Sequence, residues 1–421
     1  DLQNVASPAT ISLAGGFPSP TGFPFKDAIL NLTSGGKLVL DEELLNHAQQ
    51  YGPTTGHPPL LERTKGIVRR YHNPPNWDNS QVSITAGSQD GFSRSLEMLL
   101  EPGDYVIVEQ PSFCGALSVM NPYKLKYLEV ETDDLGMKPE SLEKVLSMWS
   151  PDEVREAREG VPKVIYTNPS GSNPIGASLS TKRKESIYEI ARRYNLLILE
   201  DDPYYFIQFG DPKNIPKSFL SLDTDGRVMR FDSFSKIVCP GFRIGYVTGP
   251  KRLVNKIVQH SQVTILHTSS FSQVICNELL KQWGDDGLER NMLKIRDFYS
   301  TQKNHLNKAA EKYLSGLCEW NTPVGGMFLW VKVLGLTDTT EMVIKRALKK
   351  EILLMPGNTF MVNHTKPCNY LRLSFSYCTP SEMEQVGWVI SVFEYLKRRK
   401  LLHKEKIQQS IRHLRYQLLN K

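Results

Sequence analysis

The chain has 421 residues, of which 40% are apolar and 23% charged, a composition typical of a globular protein with about two domains. Apolar runs stay shorter than about 18 residues, so the sequence predicts no membrane span. The net charge of +6 is concentrated in residues 397–421, where nine Lys and Arg residues stand against Glu405. The rest of the chain carries −2, which argues against the basic footprint of a nucleic-acid-binding domain. We interpret residues 397–421 as a solvated amphipathic tail, with binding to an anionic partner or membrane surface as the alternative.

The six cysteines are dispersed, without a C-x-x-C pair or a Cys/His spacing typical of zinc. This pattern favours a reducing compartment and predicts no metal site. The first residue is Asp1 instead of Met, so we expect that the natural N-terminus is missing, together with any targeting segment. The compartment therefore stays open between the cytoplasm and the mitochondrial matrix.

Residues 1–25 are rich in Gly and Pro and predict an arm on the surface that packs with a small domain. Six short apolar runs follow, several of them leading into a turn and a helical pattern. They are VSITA (82–86), YVIVE (105–109), KVIYT (163–167), LLILE (196–200), RVMRF (227–231) and IGYVT (244–248). Continuous apolar runs indicate strands that are covered on both faces.

Residues 180–195 carry apolar side chains at helical spacing and end at Asn195, a plausible cap, directly before the next apolar run. This alternation predicts an α/β fold with a mostly parallel central sheet sandwiched by helices. We assign it to a large domain over residues 26–290. Residues 291–396 change to longer amphipathic helices and shorter strands, which predicts a smaller α+β domain.

Polar turns follow five of the predicted strands, and in an open parallel sheet the ligand lies beyond the carboxyl ends of the strands. They offer groups that can donate hydrogen bonds to a phosphate, a carboxylate beside a tyrosine, an amide, an aromatic face and one amine. These are Ser88, Gln89, Ser233, Ser235 and Arg243 for phosphate, then Asp201 with Tyr204, Asn173, Phe113 and Lys236. Taken singly, most have ordinary roles as caps, core or surface residues. Together they describe a flat, phosphorylated ligand with a basic ring nitrogen, and pyridoxal phosphate fits this description.

The stretches YTNPSGSNPIG, LILEDDPYY and SFSKIVCPGFRIGYVTGP resemble the fold-type I pyridoxal-phosphate-dependent aminotransferases of class I/II. The stretches SLAGGFPSP, QYGPTTG, GGMFLW, LMPGNTF and YLRLSFS resemble the kynurenine/2-aminoadipate and aromatic aminotransferases within that family, from Ile11 to about residue 396. The resemblance implies transfer of an amino group from kynurenine, 2-aminoadipate or a related aromatic or long-chain amino acid to a 2-oxo acid such as 2-oxoglutarate. It also implies a homodimer with shared active sites.

By this resemblance, Lys236 is the catalytic residue that binds the cofactor and moves the proton at the substrate Cα. Such a lysine must be neutral for part of the cycle, so we expect the site to lower its pKa. Asp201 is expected opposite the pyridine nitrogen, and Tyr204 and Asn173 beside the ring oxygen. Phe113 is expected on the ring face, where relatives often carry a tyrosine.

The resemblance also assigns the remaining contacts. The phosphate is expected to be held by Ser88, Gln89, Ser233, Ser235 and Arg243, with Tyr51 reaching it from a neighbouring subunit. Arg372 is expected to clamp the substrate α-carboxylate through two parallel hydrogen bonds, near Asn173. Gly16, Tyr51 and Phe328 are expected to complete the substrate site.

Three alternatives remain. Ser233 to Lys236 spells S-x-x-K and Tyr166 to Asn168 spells Y-x-N, elements of penicillin-recognising serine hydrolases, but their order is reversed and no K-T-G follows. A non-catalytic ligand-sensor domain that keeps the cofactor is the second alternative. Elimination from cysteine conjugates is the third, because a fold alone does not determine a reaction.

Overall fold

The computed structural model describes residue 13, residues 15–156 and residues 159–393. The predicted tail over residues 397–421 therefore lies outside the described residues, as does most of the predicted arm. Pro18 and Phe25 belong to the described part of the arm. The Pro18 carbonyl accepts a hydrogen bond of 2.9 Å from Gln50, and the Phe25 ring contacts Phe271. Both contacts are with elements of the large domain, and the expected packing of the arm with the small domain stays a prediction.

The helices and strands alternate along most of the large domain, as the apolar runs predict. In chain order they are β1 Ala28–Asn31, β2 Lys37–Leu40, α1 Glu42–Gln49, α2 Pro58–Tyr71, β3 Ser80–Thr85, α3 Ser88–Leu99, β4 Tyr105–Gln110, α4 Cys114–Met120, β5 Lys126–Asp133, β6 Gly136–Met137, α5 Pro139–Leu146, α6 Pro151–Arg155, β7 Pro162–Thr167, α7 Thr181–Arg193, β8 Leu197–Asp201, β9 Val228–Ser233, β10 Gly245–Pro250, α8 Lys251–Thr264 and α9 Ser270–Leu314. The small domain adds β11 Cys318–Trp320, β12 Phe328–Val333, β13 Met355–Pro356 and β14 Tyr370–Ser374, then a helix over residues 380–393.

The central sheet has eight strands in the order β3-β10-β9-β8-β7-β4-β5-β6. Strands β4, β5, β7, β8 and β9 pair in parallel, which confirms the prediction of a mostly parallel sheet. Strand β10 is an exception, because it runs antiparallel to both β3 and β9. The alternation of strand and helix is interrupted between β9 and β10. Only short turns connect Ser233 to Gly245, and a parallel crossover needs a longer connection, usually a helix.

Helices cover both faces of the sheet. One face packs side chains of α2, α5, α7 and α9, and the other packs side chains of α3, α4 and α8. Helix α7 shows how the sequence sets these elements: the Ser180 side chain accepts a hydrogen bond from the Arg183 N–H at its start, and Asn195 takes a positive φ of 53° just after its end. The predicted cap at Asn195 is thus confirmed.

The small domain is built on an antiparallel sheet with the order β11-β12-β14-β13. Its core includes Leu306 of α9, whereas Met292 of the same helix packs into the core of the large domain. The predicted boundary between residues 290 and 291 falls inside α9 and stays a prediction. No helix in the described part of the chain combines the length and the apolar character needed to cross a bilayer.

Candidate active site

A cavity of about 200 Å³ lies at the carboxyl edge of the central sheet. It is bordered by the ends of β8 and β9, the start of α3 and the loop that leads into β10. Nine residues predicted from the sequence line it: Ser88, Gln89, Phe113, Asp201, Tyr204, Ser233, Ser235, Lys236 and Arg243. The sheet therefore brings together side chains that are up to 155 positions apart in the chain.

One side of the cavity is formed by the start of α3 and by Arg243. Gly87 precedes α3 with a φ of +87°, and the free N–H groups of the first helical turn are directed toward the cavity edge. The Arg243 guanidinium donates a hydrogen bond of 3.2 Å to Oγ of Ser235. A Cβ atom on Gly87 would overlap this guanidinium. Glycine at position 87 thus leaves the space that the arginine fills.

Lys236 lies just after the carboxyl end of β9, in a short turn. Burial lowers the pKa of its amine, and the neighbouring charge of Arg243 lowers the pKa further. The sequence predicted this direction, although burial is the larger cause. A lower pKa favours the neutral amine, the form that acts as a nucleophile and as a base.

Asp201 is the last residue of β8 and is buried. Its Oδ2 accepts a hydrogen bond of 3.0 Å from the Tyr166 hydroxyl, and its carbonyl accepts one of 2.6 Å from Nδ2 of Asn168. Burial raises the pKa of Asp201 to about 7, against the opposing effect of the Tyr166 hydrogen bond. Such a carboxylate is stabilised by a cation placed opposite to it.

Tyr204 and Phe113 flank the same space. Burial raises the pKa of Tyr204, and a side-chain hydrogen bond from Asn173 partly offsets this effect. The Phe113 ring lies over Gly115, where an added Cβ would overlap it. The carbonyl of Gly115 accepts a hydrogen bond of 3.0 Å from Gln89. Gln89 therefore holds the loop that presents the aromatic face.

Arg372 belongs to β14 of the small domain and faces the large domain. Its Nη1 donates a hydrogen bond of 3.0 Å to Oδ1 of Asn173. Its guanidinium lies 4.2 Å from the ring centre of Phe328 and 4.9 Å from that of Phe360. The Nε atom is buried without a hydrogen-bond partner among the described residues. A second group is thus formed by Arg372, Asn173 and Phe328. Tyr204 joins it to the cavity, because the ring centres of Tyr204 and Phe328 are 6.0 Å apart.

Two predicted residues lie apart from this cavity within the single chain. Tyr51 is 54% exposed, and its ring contacts His267 with centroids 6.1 Å apart. Gly16 is exposed, and within the described chain no atom comes within 4 Å of a Cβ built on it. Their predicted contacts with cofactor and substrate stay predictions.

Three residues that support the site had no assigned role in the sequence analysis. Asn168 borders the cavity and accepts a hydrogen bond of 2.7 Å from the Asn173 N–H. Glu109, whose pKa is raised to about 7 by burial, accepts one of 3.2 Å from the Asn168 N–H. The Tyr166 hydroxyl donates the hydrogen bond to Asp201 described above. Glu109 ends the run YVIVE, and Tyr166 and Asn168 belong to the stretch YTNPSGSNPIG, but the sequence does not show their partners, because strand pairing determines these.

The residues present fit pyridoxal phosphate. The cavity offers an amine with a lowered pKa, a buried carboxylate without an ion-pair partner in the described residues, and an arginine beside a helix N-terminus. Each matches one part of that cofactor: the carbonyl, the ring nitrogen and the phosphate. The class of protein that this fold and this site define is a pyridoxal-phosphate-dependent transferase.

The comparisons with known proteins agree. The family model for aminotransferase class I and II matches residues 24–387, and the chain belongs to this family. It is 43% identical over 392 residues to the rat protein named kynurenine/alpha-aminoadipate aminotransferase, mitochondrial, covering 92% of each chain. The aminotransferase tdiD of Emericella nidulans is 35% identical, with 90% of this chain and 88% of that protein covered.

Solved structures show the same fold. The kynurenine aminotransferase of Pyrococcus horikoshii superposes with a TM-score of 0.76 at 32% identity, over 84% of each chain. An aromatic aminotransferase of Candida albicans gives a TM-score of 0.85 at 25% identity, over 94% of each chain. The chain is therefore a pyridoxal-phosphate-dependent aminotransferase of fold type I, as the sequence predicted. These relatives give no support to the sensor, the β-elimination enzyme or the serine hydrolase.

Proposed function

We propose that the enzyme transfers the amino group of kynurenine, 2-aminoadipate or a related aromatic or long-chain amino acid to a 2-oxo acid such as 2-oxoglutarate. The name of the rat relative, at 43% identity over 92% of the chain, supports this substrate class. The names of the aromatic aminotransferases among the relatives support the aromatic side of the range.

The setting of Arg372 is the observation that carries the proposal. Its guanidinium lies between two phenylalanine rings, one Nη atom is bound to Asn173, and Nε has no partner among the described side chains. Burial lowers the pKa of the guanidinium, and a carboxylate placed against it would offset that cost. Arg372 is thus prepared to bind a substrate α-carboxylate through two parallel hydrogen bonds. Phe328 and Gly16 are proposed to line the space for the substrate side chain.

The proposed chemistry assigns one role to each residue of the cavity. When bound, pyridoxal phosphate supplies an electrophilic carbonyl and a ring that withdraws electrons from the substrate Cα. Lys236 binds the cofactor at rest and moves the proton at the substrate Cα, which its lowered pKa allows. Ser88, Gln89, Ser233, Ser235 and Arg243 hold the phosphate at the edge of the sheet.

Asp201, Tyr204 and Phe113, which line the cavity, would hold the ring of the cofactor. Asp201 keeps the ring nitrogen protonated and in return gains the cation that its buried carboxylate lacks. Tyr204 and Asn173 bind the ring oxygen, and Asn173 also orients Arg372. Phe113 covers one face of the ring.

We further propose a homodimer in which Tyr51 of each subunit reaches the phosphate of the other. Tyr51 is exposed, and exposed apolar residues Val263, Ile265 and Leu266 precede its contact His267. An exposed apolar group of this kind is typical of an interaction surface.

Mixed dimers test the shared site. Homodimers of Lys236→Ala and of Tyr51→Ala should each be impaired. When the two are dissociated, mixed and reassembled, activity should return, because one site of the hybrid dimer then holds an intact Lys236 and an intact Tyr51. If each Tyr51 served its own subunit, the hybrid would contain no intact site and mixing would restore nothing. Light scattering of the wild type provides the size control.

The compartment is proposed to be the mitochondrial matrix or the cytoplasm. The word mitochondrial in the name of the rat relative supports the first. Fractionation of the cells that naturally express the protein distinguishes the two.

A panel of amino donors tests the substrate proposal. With 2-oxoglutarate as acceptor, kynurenine and 2-aminoadipate should release their 2-oxo acids with a higher kcat/KM than alanine or aspartate. A preference for alanine or aspartate would overturn the substrate class while leaving transamination intact. Loss of all turnover in enzyme that holds the cofactor would overturn the assignment of the site.

A further inference from the structure

A cluster of buried charged residues lies behind Asp201. It comprises Arg230 at its centre, the carboxylates of Glu200, Asp202 and Asp232, and Lys184, and we call it the buried charge cluster. Arg230 and Lys184 are both 0% exposed. These residues do not line the cofactor cavity, and the proposed chemistry does not use them.

Arg230 bridges all three carboxylates. Its Nη1 lies 3.0 Å from Oε1 of Glu200 and 2.9 Å from Oδ2 of Asp202. Its Nε and Nη2 donate hydrogen bonds of 2.9 and 2.8 Å to the two carboxylate oxygens of Asp232. A fully buried ion cluster is costly to build, so its position directly behind the site calls for a reason.

The cluster and the Asp201 side chain lie on opposite faces of the central sheet. Side chains alternate along a strand, so Glu200 and Asp202 point away from the face that carries Asp201. In the β8–β9 ladder, Arg230 pairs with Glu200 and Phe231 pairs with Asp201. Only the thickness of the sheet therefore separates Arg230 from Asp201, in a region shielded from water.

The charges of the cluster act on Asp201 in opposite directions. The carboxylates of Asp202 and Asp232 raise the pKa of Asp201, whereas Arg230 lowers it. The other titratable groups around Asp201 are Tyr166 of β7, whose hydrogen bond favours the carboxylate, Tyr204 after β8, and Glu109 of β4, which acts on Tyr166. Lys236 and Arg243 line the same cavity. Arg230 is the cation that acts on Asp201 from behind the sheet.

Lys184 of α7 supplies the second cation of the cluster. Its Nζ and the Oδ1 of Asp202 are buried, and neither has a hydrogen-bond partner in the described part of the chain. Burial lowers the pKa of Lys184, and the charges of Asp202 and Glu200 raise it. Apart from a contact of 5.9 Å between its amine and the centre of the Phe219 ring, Lys184 therefore acts on the carboxylates through its charge and not through a hydrogen bond.

We propose that Arg230, assisted by Lys184, is a positioning residue that neutralises the carboxylates behind the sheet, so that Asp201 stays negatively charged toward the ring nitrogen of pyridoxal phosphate. The inference rests on the proposed role of Asp201. Without Arg230, three buried carboxylates would face Lys184 alone, and the proton shared by Asp201 and the ring nitrogen would move to Asp201. The ring would then withdraw electrons less strongly.

Nitrogen NMR of holoenzyme loaded with isotope-labelled pyridoxal phosphate reads the protonation of the ring nitrogen directly. At neutral pH the wild type should show a protonated nitrogen. Arg230→Met should reduce the ratio of protonated to neutral ring nitrogen by about tenfold or more, one pKa unit of Asp201. Arg230→Lys should restore most of the wild-type signal, as should the charge-balanced double variant Arg230→Met with Asp232→Asn.

Two further variants separate charge from structure. Lys184→Met replaces a side chain that forms no hydrogen bond by one of similar shape, so it should fold even if Arg230→Met does not, and it should shift the nitrogen signal in the same direction by a smaller amount. Arg183→Met breaks the Arg183–Asp133 pair, with hydrogen bonds of 2.6 and 2.7 Å, elsewhere on α7. It should lower the melting temperature and leave the nitrogen signal unchanged.

The outcomes are distinguishable. A neutral ring nitrogen in the wild type would contradict the proposed role of Asp201 itself. The inference would be overturned if the ring nitrogen were protonated in the wild type and to the same extent in Lys184→Met and in any folded Arg230→Met enzyme. A change in melting temperature would not alter this conclusion. A double variant as impaired as Arg230→Met would show that charge balance is not the cause, and would also overturn it.

Discussion

The Arg372 guanidinium of the small domain donates a hydrogen bond of 3.0 Å to the Asn173 side chain of the large domain. The two residues are 199 positions apart, and the Asn173 side chain lies close enough to the Tyr204 hydroxyl to lower its pKa against the larger effect of burial. One chain of contacts thus joins the proposed carboxylate site to the cofactor cavity. A change at Arg372 should therefore affect substrate binding and the orientation of Asn173 together.

Arg372→Lys should raise the KM for the amino donor by about tenfold or more. Lysine keeps the charge but loses the planar fork that binds a carboxylate through two hydrogen bonds. Steady-state kinetics with the preferred donor measure this, and the affinity for pyridoxal phosphate should change little. An unchanged KM would show that the α-carboxylate binds elsewhere.

Gly87→Ala should weaken cofactor binding, because the new Cβ would overlap the Arg243 guanidinium. Gly35→Ala provides the matched control. Gly35 has a φ of +86°, close to the +87° of Gly87, and no described atom lies within 4 Å of its Cβ position. Each variant should lose about 1 kcal/mol of stability through backbone strain.

Only Gly87→Ala should increase the dissociation constant of pyridoxal phosphate. Titration of both apoproteins with the cofactor measures the difference. Equal constants for the two variants would argue against Arg243 as the phosphate anchor.

Asp201→Asn should stabilise the apoprotein above neutral pH. The pKa of Asp201 is raised from its usual value of 3.8 to about 7, so the folded protein binds a proton that the unfolded chain releases between these values. The stability of the wild type should therefore decline from about pH 4 to about pH 7 and then level off. The stability gained by Asp201→Asn relative to the wild type should rise over the same pH range, reaching on the order of 4 kcal/mol.

Urea unfolding of both apoproteins at pH 5 and pH 8 measures this advantage. It should be larger at pH 8, and Asp201→Asn should bind the cofactor more weakly at both values. A larger advantage at pH 5 would contradict the raised pKa of Asp201.

Lys236→Ala should abolish transamination while leaving the fold intact, because no other amine lines the cavity among the described residues. Lys303→Ala is a suitable control. The pKa of Lys303 is also lowered by burial, but its amine lies over the Phe209 ring, away from the cavity. Turnover and circular dichroism of both variants test the prediction, and substantial turnover by Lys236→Ala would overturn the assignment.

The sequence predicted the strands well because continuous apolar runs are a local signal. Asp201 and Ser233 end two neighbouring strands, and knowing that parallel strands meet at one edge is enough to bring them together. The apolar run of β10 does not reveal the direction of this strand, because it looks like the run of a parallel strand. Only the short connection from Ser233 to Gly245 distinguishes the two.

The supporting residues behind the site could not be predicted in the same way. Arg230 lies within the run RVMRF, where its charge looks like an exposed position on a strand. Its burial depends on the pairing of β8 with β9, which places Glu200 beside it. Tyr166 likewise gains its role from β8. Such roles follow from pairing between strands that are far apart in sequence.

Borohydride reduction of the holoenzyme, followed by digestion and mass spectrometry, tests the central claim most directly, because it fixes the cofactor on the lysine that binds it. The cofactor mass is expected on the peptide that contains Lys236, and prior addition of the preferred amino donor should reduce the amount attached. Attachment to a different lysine, or no attachment in protein saturated with pyridoxal phosphate, would contradict the assignment of Lys236 and of the site built around it.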